Sequence, residues 1–419
     1  MYRVRCSCLL VLGLASCAAS GPVRTGLDDA AHLTELLGGK RVGVIANATA
    51  RDAQGRFIVD VLRALPQVRV TALFAPEHGL QAQLGAGDRV LDETFQGLTV
   101  YSLYGKTRQP TPAMLAEVDA LVFDIQDVGA RFYTYASTMT LAMAAAAECG
   151  KPFVVLDRPN PINGRTVEGN LLEPAFASFV GLWPIPVRHG LTMGELARLV
   201  AGEGWLKGPR PPDLTVVPVQ GWRRSMWFDQ THLAFIRPSP NIPDPDTALV
   251  YIGLCLLEGT NVSEGRGTDR PFMQFGAPWV DGQALCTRLE ALRLPGLAFE
   301  PTSFADLLET RRHTVPRCAD HHHRPRSRRI LLERHPHRPD AACHGPGAIR
   351  FSREPFRPPL RHGPHPQGHR GRSTAGPVTA GLAGGIAAVS GRSAALSAVS
   401  VTGLQRAALM KTERIGGKP

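Results

Sequence analysis

The feature that most constrains this fold is a regular alternation of short apolar runs with helical segments, which begins near residue 40. Residues 41–46, 68–74, 99–103, 120–123 and 152–156 are short and rich in Val, Leu and Phe, and they predict buried strands. Residues 57–65, 111–118 and 133–149 predict helices, the second with Thr111 as its cap. Such alternation predicts an α/β fold with a parallel sheet covered by helices.

Polar side chains follow the strand predicted at 120–123. Asp124 and Asp127 come directly after it, and Arg131, Tyr133 and Tyr135 follow the Gly129 turn. The carboxyl ends of strands line the ligand crevice of an open α/β sheet. We therefore expect a polar cluster suited to a sugar or another polyol. For Asp127 alone, a role as cap of the next helix is an equal alternative.

Two further segments carry carboxylates in glycine-containing loops. Glu77 and His78 stand in APEHG after a predicted strand end, where a carboxylate can act as general acid or base or be a solvated loop acid. The segment EGTNVSEGRGTDRP, residues 258–271, holds Asn261, Glu264 and Arg266 between turn glycines. We interpret it as part of a site, the alternative being a polar linker between domains.

Proline-stiffened loops supply the remaining candidates. Arg158 and Asn160 lie in DRPNPING, and Asn241 lies in PSPNIP. Arg158 can bind a carboxylate in two-pronged geometry or pair with a neighbouring acid for structure. No G-x-G-x-x-G follows the first strand, so a nicotinamide cofactor is not indicated. No C-x-x-C pair occurs, and we predict neither a zinc site nor a redox motif.

The basic charge of the chain is confined to its two ends. The net charge is +11, but residues 311–370 contribute +10, residues 371–419 contribute +5, and Arg3 and Arg5 contribute +2. Residues 6–310 therefore carry −6. A mildly acidic body argues against a nucleic-acid partner, because such proteins present a basic face.

The C-terminal quarter differs from the rest in composition. His, Arg and Pro fill 34 of the 60 positions from 311 to 370, and Ala, Gly, Ser and Val dominate 373–405. Density of Pro and charge opposes a packed core. We interpret residues 312–419 as an aberrant, disordered tail read from a shifted frame. A basic cell-surface tail and a His cluster for metal are the alternatives.

The N-terminus has the order of a bacterial export signal. Arg3 and Arg5 precede an apolar run at 9–14, and the small residues after it end in Cys17. We predict a lipoprotein signal over residues 1–20 with Cys17 as the acylated residue. An ordinary secretory signal is the alternative. Both place the mature protein outside the cytoplasm, in the cell envelope, and only the lipoprotein signal would attach it to a membrane, through its lipid anchor.

Seven motifs in order resemble one bacterial family, the exo-β-N-acetylmuramidases, long labelled a domain of unknown function. They are APEHG, SLYGKTRQPT, FDIQDVGARFYTYAST, VLDRPNPINGRTVEGN, RHGLTMGELA, PSPNIP and EGTNVSEGRGTDRPF, over about residues 40–304. The resemblance implies a Rossmann-like catalytic domain, here 25–270, and a smaller α/β C-terminal domain that starts at 271–311 and is incomplete. It implies a cleft between them that releases terminal N-acetylmuramic acid from peptidoglycan fragments.

The resemblance also implies a catalytic role for Glu77. Glycoside hydrolysis uses two carboxylates, so we expect Glu77 as the acid and Asp127 or Glu264 as its partner, with no metal or cofactor. The lactyl group of muramic acid is anionic, and Arg131, Arg158 and Arg266 are candidates to bind it. The other predicted substrate-binding residues are His78, Asp124, Tyr133, Tyr135, Asn160, Asn241 and Asn261. The rival hypotheses are a non-catalytic muropeptide-binding lipoprotein and an inactive gene product.

Overall fold

The computed structural model describes residues 21–294 and 296–304 in full and the backbone of residues 348–350. The strands are β1 Arg41–Ala46, β2 Arg69–Ala75, β3 Glu93–Phe95, β4 Leu98–Ser102, β5 Ala120–Asp124, β6 Phe153–Leu156, β7 Glu168–Leu171, β8 Pro186–Arg188, β9 Leu214–Val217, β10 Gln274–Gly276, β11 Glu300–Thr302 and β12 Ala348–Arg350. The α-helices are α1 Ala30–Leu37, α2 Ile58–Arg63, α3 Tyr135–Glu148, α4 Met193–Gly202, α5 Pro245–Leu254 and α6 Gly282–Ala291.

Seven strands form the central sheet in the order β3-β4-β2-β1-β5-β6-β9. All neighbours are parallel except β3 and β4, which form an antiparallel pair at one edge. In the middle of the sheet, Val44 of β1 pairs with Leu73 of β2 on one side and Val122 of β5 on the other. The predicted α/β fold with a mostly parallel sheet is confirmed.

Both faces of the sheet are covered, which explains the almost uninterrupted apolar strands. Successive strand residues point to opposite faces. Val44 belongs to the core that contains Leu33 of α1 and Leu62 of α2. The next residue, Ile45, belongs to the second core, which contains Met139 of α3. The parallel strands thus present their carboxyl ends, rather than a face, to solvent.

The sequence T-M-G-E at residues 192–195 predicts a capping box, and helix α4 begins there. Thr192 Oγ1 accepts a hydrogen bond from the Glu195 amide at 3.2 Å, and Glu195 Oε2 accepts one from the Thr192 amide at 3.0 Å. This reciprocal pair is the capping box of a helix N-terminus. Asp157 anchors the same turn, because its two oxygens accept hydrogen bonds from Thr192 Oγ1 and the Gly194 amide.

The prediction of a helix over residues 111–118 is wrong, because the segment forms successive turns. Thr111 does act as a cap, since its Oγ1 accepts a hydrogen bond from the Met114 amide at 3.3 Å. The following hydrogen bonds span mostly three residues, as in isolated turns. Asp119 is tied to Arg41 at the start of β1 by a 2.8 Å bond from the Arg41 amide. The chain therefore straightens into β5 before a helix is established.

A second, antiparallel sheet lies C-terminal to the main one, in the order β10-β12-β11. Ile349 of β12 pairs with Phe275 on one side and Pro301 on the other. The strand β12 falls inside segment 312–419, which we predicted to be a disordered tail, so these three residues are an exception. A three-residue strand leaves no period to detect in sequence. Residues 305–347 and 351–419 lie outside the described residues, and the frameshift remains a prediction.

Two expectations concern the cell envelope. Within the part of the chain that the structure describes, no helix is long and apolar enough to cross a membrane. The predicted export signal and Cys17 lie outside the described residues. The three cysteines of the described region, Cys149, Cys255 and Cys286, are free thiols.

Candidate active site

A cleft of about 730 Å³ opens at the carboxyl ends of β2 and β4, beside the N-terminus of α3. Of the residues predicted from the sequence, it is lined by Glu77, His78, Arg131, Tyr133, Asn241, Glu264 and Arg266. Its lining does not include Asp124, Asp127, Tyr135, Arg158, Asn160 or Asn261. Seven of the thirteen predicted site residues thus lie around one cavity, although they come from four separate motifs.

Glu77 is held at the base of the cleft by both of its carboxylate oxygens. Oε1 accepts a hydrogen bond from the Gly87 amide at 2.9 Å, and Oε2 accepts one from Thr134 Oγ1 at 2.6 Å. The side chain is only 7% exposed. A carboxylate with both oxygens engaged has a fixed direction, which is what a positioned acid or base requires.

His78 shapes the turn behind Glu77. Its φ of +71° lies in the left-handed region, and Gly79 follows with φ +76°. Its Nδ1 donates to the Leu84 carbonyl at 2.7 Å. Burial lowers the pKa of the His78 imidazole, so the ring is neutral near pH 7. We infer that His78 mainly holds the loop that carries Glu77.

Two tyrosines near the start of α3 lie at different positions relative to the cleft. Tyr133 lines it, whereas Tyr135 lies behind it, with the two rings edge to face at 4.8 Å. The Tyr135 hydroxyl accepts a hydrogen bond from Asn47 Nδ2 at 3.0 Å and donates to the Pro238 carbonyl. Tyr135 therefore ties the end of β1 to the loop that carries Asn241.

Arg131 is a cation of the cleft that contacts backbone carbonyls. Its guanidinium donates to the carbonyls of Asn170 and Ile185, both at 2.7 Å. Among the described residues, no carboxylate oxygen lies within 4.0 Å of it. Burial lowers the pKa of this guanidinium. The arrangement leaves its positive charge available to an anionic group in the cleft.

Arg266, in contrast, is already paired. Its Nε lies 2.8 Å from Glu264 Oε1, its terminal nitrogen bonds Glu258, and its guanidinium stacks on the Phe272 ring at 5.0 Å. The same arginine thus orients two of the three carboxylates that line the cleft. Glu258 opens the loop from which we predicted Glu264 and Arg266, but the sequence did not distinguish it.

Asp127 lies next to the cleft but outside its lining. Its Oδ1 accepts a hydrogen bond from the Gly129 amide at 2.7 Å and so holds the turn before α3. Its Oδ2 is buried and has no hydrogen-bond partner within the described structure. Burial raises the pKa of Asp127 to about 7. The alternative in which Asp127 caps the next helix is wrong, because α3 begins at Tyr135 and Asp127 accepts its hydrogen bond from the turn at Gly129.

Asp124, Arg158 and Asn160 are part of the framework behind the cleft. Arg158 forms a two-pronged ion pair with Asp124, with its terminal nitrogen 2.9 Å from Asp124 Oδ2. Their side chains are 7% and 0% exposed. Asn160 donates to the Leu191 carbonyl at 2.9 Å and accepts from the Ile162 amide. Of the two roles considered for Arg158, the structure shows the ion pair with a neighbouring acid that supports the fold.

The two other predicted asparagines separate. Asn241 lines the cleft with a half-buried side chain, whereas Asn261 is exposed and lies outside it. Sequence reasoning did not single out Tyr104, Thr134 and Ser239, which line the cleft as well. Tyr104 follows the end of β4, so the rule that pointed to Asp124 at the end of β5 applied equally to it. Within the described part of the chain, no group of three His, Cys, Asp or Glu side chains is placed to hold a metal ion.

An α/β fold whose cleft holds a buried, hydrogen-bonded glutamate and two further carboxylates has the groups of one class of protein, the glycoside hydrolases. The comparisons with known proteins agree with this class. The N-terminal model of the exo-β-N-acetylmuramidase NamZ family matches residues 42–246, and its C-terminal model matches residues 249–332. The chain belongs to this family and is a glycoside hydrolase. The match extends to residue 332, beyond residue 304, where the resemblance found in the sequence ends.

Individual relatives agree with the family models. The chain is 46% identical over 322 residues to the peptidoglycan β-N-acetylmuramidase NamZ of Bacillus subtilis, which covers 73% of this chain and 77% of that protein. Two crystal structures of DUF1343 family proteins from Bacteroides fragilis are similar in fold. One is 42% identical with a TM-score of 0.64, covering 72% of this chain and 77% of its own. The other is 32% identical with a TM-score of 0.57, covering 71% and 75%.

Proposed function

We propose that this protein is an exo-acting hydrolase that releases terminal β-linked N-acetylmuramic acid from the non-reducing ends of peptidoglycan fragments. The observation that carries the proposal is the placement of Glu77 and Arg131 in one cleft. A glycosidase for this sugar needs a positioned carboxyl group for the glycosidic bond and a cation for the lactyl carboxylate. Family membership supports the same reaction.

Glu77 protonates the oxygen of the leaving sugar in this proposal. Thr134 suits that role, because a hydroxyl can rotate to donate to the carboxylate or to accept from the carboxylic acid. The 2.6 Å contact from Thr134 Oγ1 is therefore compatible with both protonation states of Glu77. The Gly87 amide, which only donates, fixes the other oxygen.

We favour Glu264 as the second carboxylate of the mechanism. Glu264 lines the cleft, and Arg266 orients it, whereas Asp127 lies outside the lining and holds a backbone turn. Glu258 shares the same arginine and lines the cleft as well. A glycosidase requires that this group be ionised, as base or nucleophile, while the first is protonated.

Arg131 binds the lactyl carboxylate. Of the three arginines that the sequence offered for this task, Arg158 is paired with Asp124, and Arg266 is paired with Glu258 and Glu264. Arg131 contacts backbone carbonyls instead and keeps its net charge. Its planar guanidinium can hold a carboxylate by two parallel hydrogen bonds.

The role that follows is cell-wall turnover in the envelope. The basic and apolar order of residues 3–14 supports export, and Cys17 supports anchoring by lipid. Peptidoglycan lies outside the cytoplasmic membrane, so substrate and enzyme would meet in the same compartment. Mass measurement of the mature protein from envelope fractions tests this part, because acylation at Cys17 adds a defined mass.

Turnover of a muramic acid–β-1,4–glucosamine disaccharide by the purified chain tests the activity. We expect free N-acetylmuramic acid as product, and we expect Glu77→Gln to abolish its release while the folded protein still binds the sugar. Glu93→Gln, at an exposed glutamate of β3, is the matched control and should retain activity. Full activity of Glu77→Gln would refute the assignment of Glu77, and binding without turnover by the unmodified chain would favour a sugar-binding protein.

A further inference from the structure

Tyr133 brings a buried hydroxyl group to the cleft. Its side chain is 6% exposed and lines the cavity, and within the described part of the chain its hydroxyl has no hydrogen-bond partner. The hydroxyls of Ser239 and Tyr135 act on the phenol, but neither completes a hydrogen bond to it. A buried polar group without a partner costs free energy, and a buried tyrosine hydroxyl normally has one. The Tyr133 hydroxyl is therefore a candidate to bind a group of the substrate.

The protonation state of this phenol fixes what it can bind. Burial raises the pKa of Tyr133 well above its usual range, so the hydroxyl keeps its proton at neutral pH. A neutral phenol can donate one hydrogen bond. The matching group on a ligand is an uncharged acceptor, such as a carbonyl oxygen.

Tyr133 stands in one turn with the two groups that we propose to act on the sugar. The Tyr133 amide donates to the Ala130 carbonyl at 3.0 Å and closes this turn before α3. Arg131 and Thr134, on either side of Tyr133 in sequence, line the same cavity, and Thr134 orients Glu77. The charge of Glu77 also acts on the Tyr133 phenol. The turn thus supplies the cleft with the side chains of Arg131, Tyr133 and Thr134 in this order.

The terminal sugar carries its functional groups in a matching order. In β-linked N-acetylmuramic acid, the glycosidic oxygen is on C1, the acetamido group on C2 and the lactyl ether on C3. Glu77 acts on the oxygen at C1 and Arg131 on the group at C3 in the proposed function. The acetamido group at C2 lies between those two groups, as Tyr133 lies between Arg131 and Thr134.

The surroundings of the Tyr133 hydroxyl are aromatic. The Tyr133 ring meets the Tyr251 ring edge to face at 5.7 Å, and Tyr251 meets Phe272 at 4.9 Å and Phe132 at 5.3 Å. All four rings line the cleft. An acetamido group joins an apolar methyl to a carbonyl acceptor, so it suits apolar rings with one hydroxyl donor among them. A sugar hydroxyl would use the donor but gain nothing from the rings.

We propose that Tyr133 selects the acetamido group of the terminal sugar, with its hydroxyl donating to the acetamido carbonyl and the neighbouring aromatic rings contacting the methyl. This inference rests on the proposed function and assigns a specificity-determining residue to its site. A terminal muramic acid that has lost its acetyl group lacks both contacts and binds more weakly.

Calorimetric titration of the purified chain with two ligands tests the inference. The first is the methyl thioglycoside of N-acetylmuramic acid, which resists hydrolysis, and the second is its analogue with a thioacetamido group, whose sulfur is a weak acceptor. We expect the unmodified protein to bind the first about threefold to tenfold more tightly, the scale of one neutral hydrogen bond. Tyr133→Phe keeps the ring and removes the donor, so its two dissociation constants should agree within about twofold.

Tyr101→Phe is the matched control, because Tyr101 lies on β4 outside the lining of the cleft. It should keep the preference of the unmodified protein for the first ligand. The inference is overturned if Tyr133→Phe keeps this preference as well, or if the unmodified protein binds the two ligands equally. Failure of the unmodified protein to hydrolyse an aryl β-N-acetylmuramide would instead refute the proposed function, and the inference with it.

Discussion

Thr134 Oγ1 donates a 2.6 Å hydrogen bond to Glu77 Oε2, which joins the residue before α3 to the loop after β2. The two residues are 57 positions apart in sequence. The bond is buried, and it fixes the carboxyl group that we propose as the acid. The N-terminus of α3 therefore orients Glu77 through a side chain.

Replacement of Thr134 by Ala should lower kcat/KM by about tenfold to a hundredfold, because a hydrogen bond to a charged group contributes ~1.5–3 kcal/mol. Thr134→Ser keeps the hydroxyl and should retain most of the activity. Steady-state kinetics on an aryl β-N-acetylmuramide measures both. Equal loss in the Ala and Ser variants would show that the methyl group, and not the hydrogen bond, matters.

Arg131→Gln should lower kcat/KM for muramic acid substrates by about tenfold to a hundredfold, since it removes the charge that pairs with the lactyl group. The decisive comparison uses an analogue whose lactyl carboxylate is an uncharged amide. If Arg131 binds that carboxylate, the variant and the unmodified protein should differ little on the analogue. Arg131→Lys keeps the charge without the planar geometry and should fall between them.

Replacement of Arg158 by Met should destabilise the fold by about 3–5 kcal/mol, because it leaves the buried Asp124 carboxylate without its partner. Urea denaturation of the purified protein measures this change. Glu117→Gln breaks an ion pair to Arg41 in which the Glu117 side chain is 80% exposed, and it should cost less than about 1 kcal/mol. Similar costs for the two variants would contradict a framework role for Arg158.

Asp127 should make stability fall as pH rises from about 4 to about 7. Its pKa in the folded protein is about 7, above the ordinary 3.8, so the folded state holds a proton that the unfolded state releases in this range. This stabilisation of the folded state is fully present below the unfolded pKa of 3.8 and is lost above the folded pKa of about 7. It amounts to a few kcal/mol, at ~1.4 kcal/mol per unit of pKa difference.

The difference in free energy of unfolding between the unmodified protein and Asp127→Asn isolates this group from others that titrate in the same range. The Asn side chain can still accept the hydrogen bond from the Gly129 amide. The difference should decline between about pH 4 and pH 7. A flat difference over this range would show that the Asp127 carboxyl is already ionised at about pH 5 and would contradict the prediction.

The sequence predicted the elements whose signals are local. Strand β1 has the predicted bounds, and the capping box of α4 forms between the predicted Thr192 and Glu195, because apolar runs and caps depend on near neighbours. The helix at 111–118 fails, since a local pattern cannot include the distant tie between Arg41 and Asp119.

The same division holds for the site. The motifs predicted a site that included Glu77, Arg131, Glu264 and Arg266, and the family resemblance gave the set its chemistry. Only the tertiary structure decided that no acid of the described residues pairs with Arg131 while Arg158 is paired with Asp124, and that Asp127 lies beside the cleft instead of in it. The reason is physical: whether a polar side chain binds substrate or supports the fold depends on its burial and on partners that lie far away in sequence.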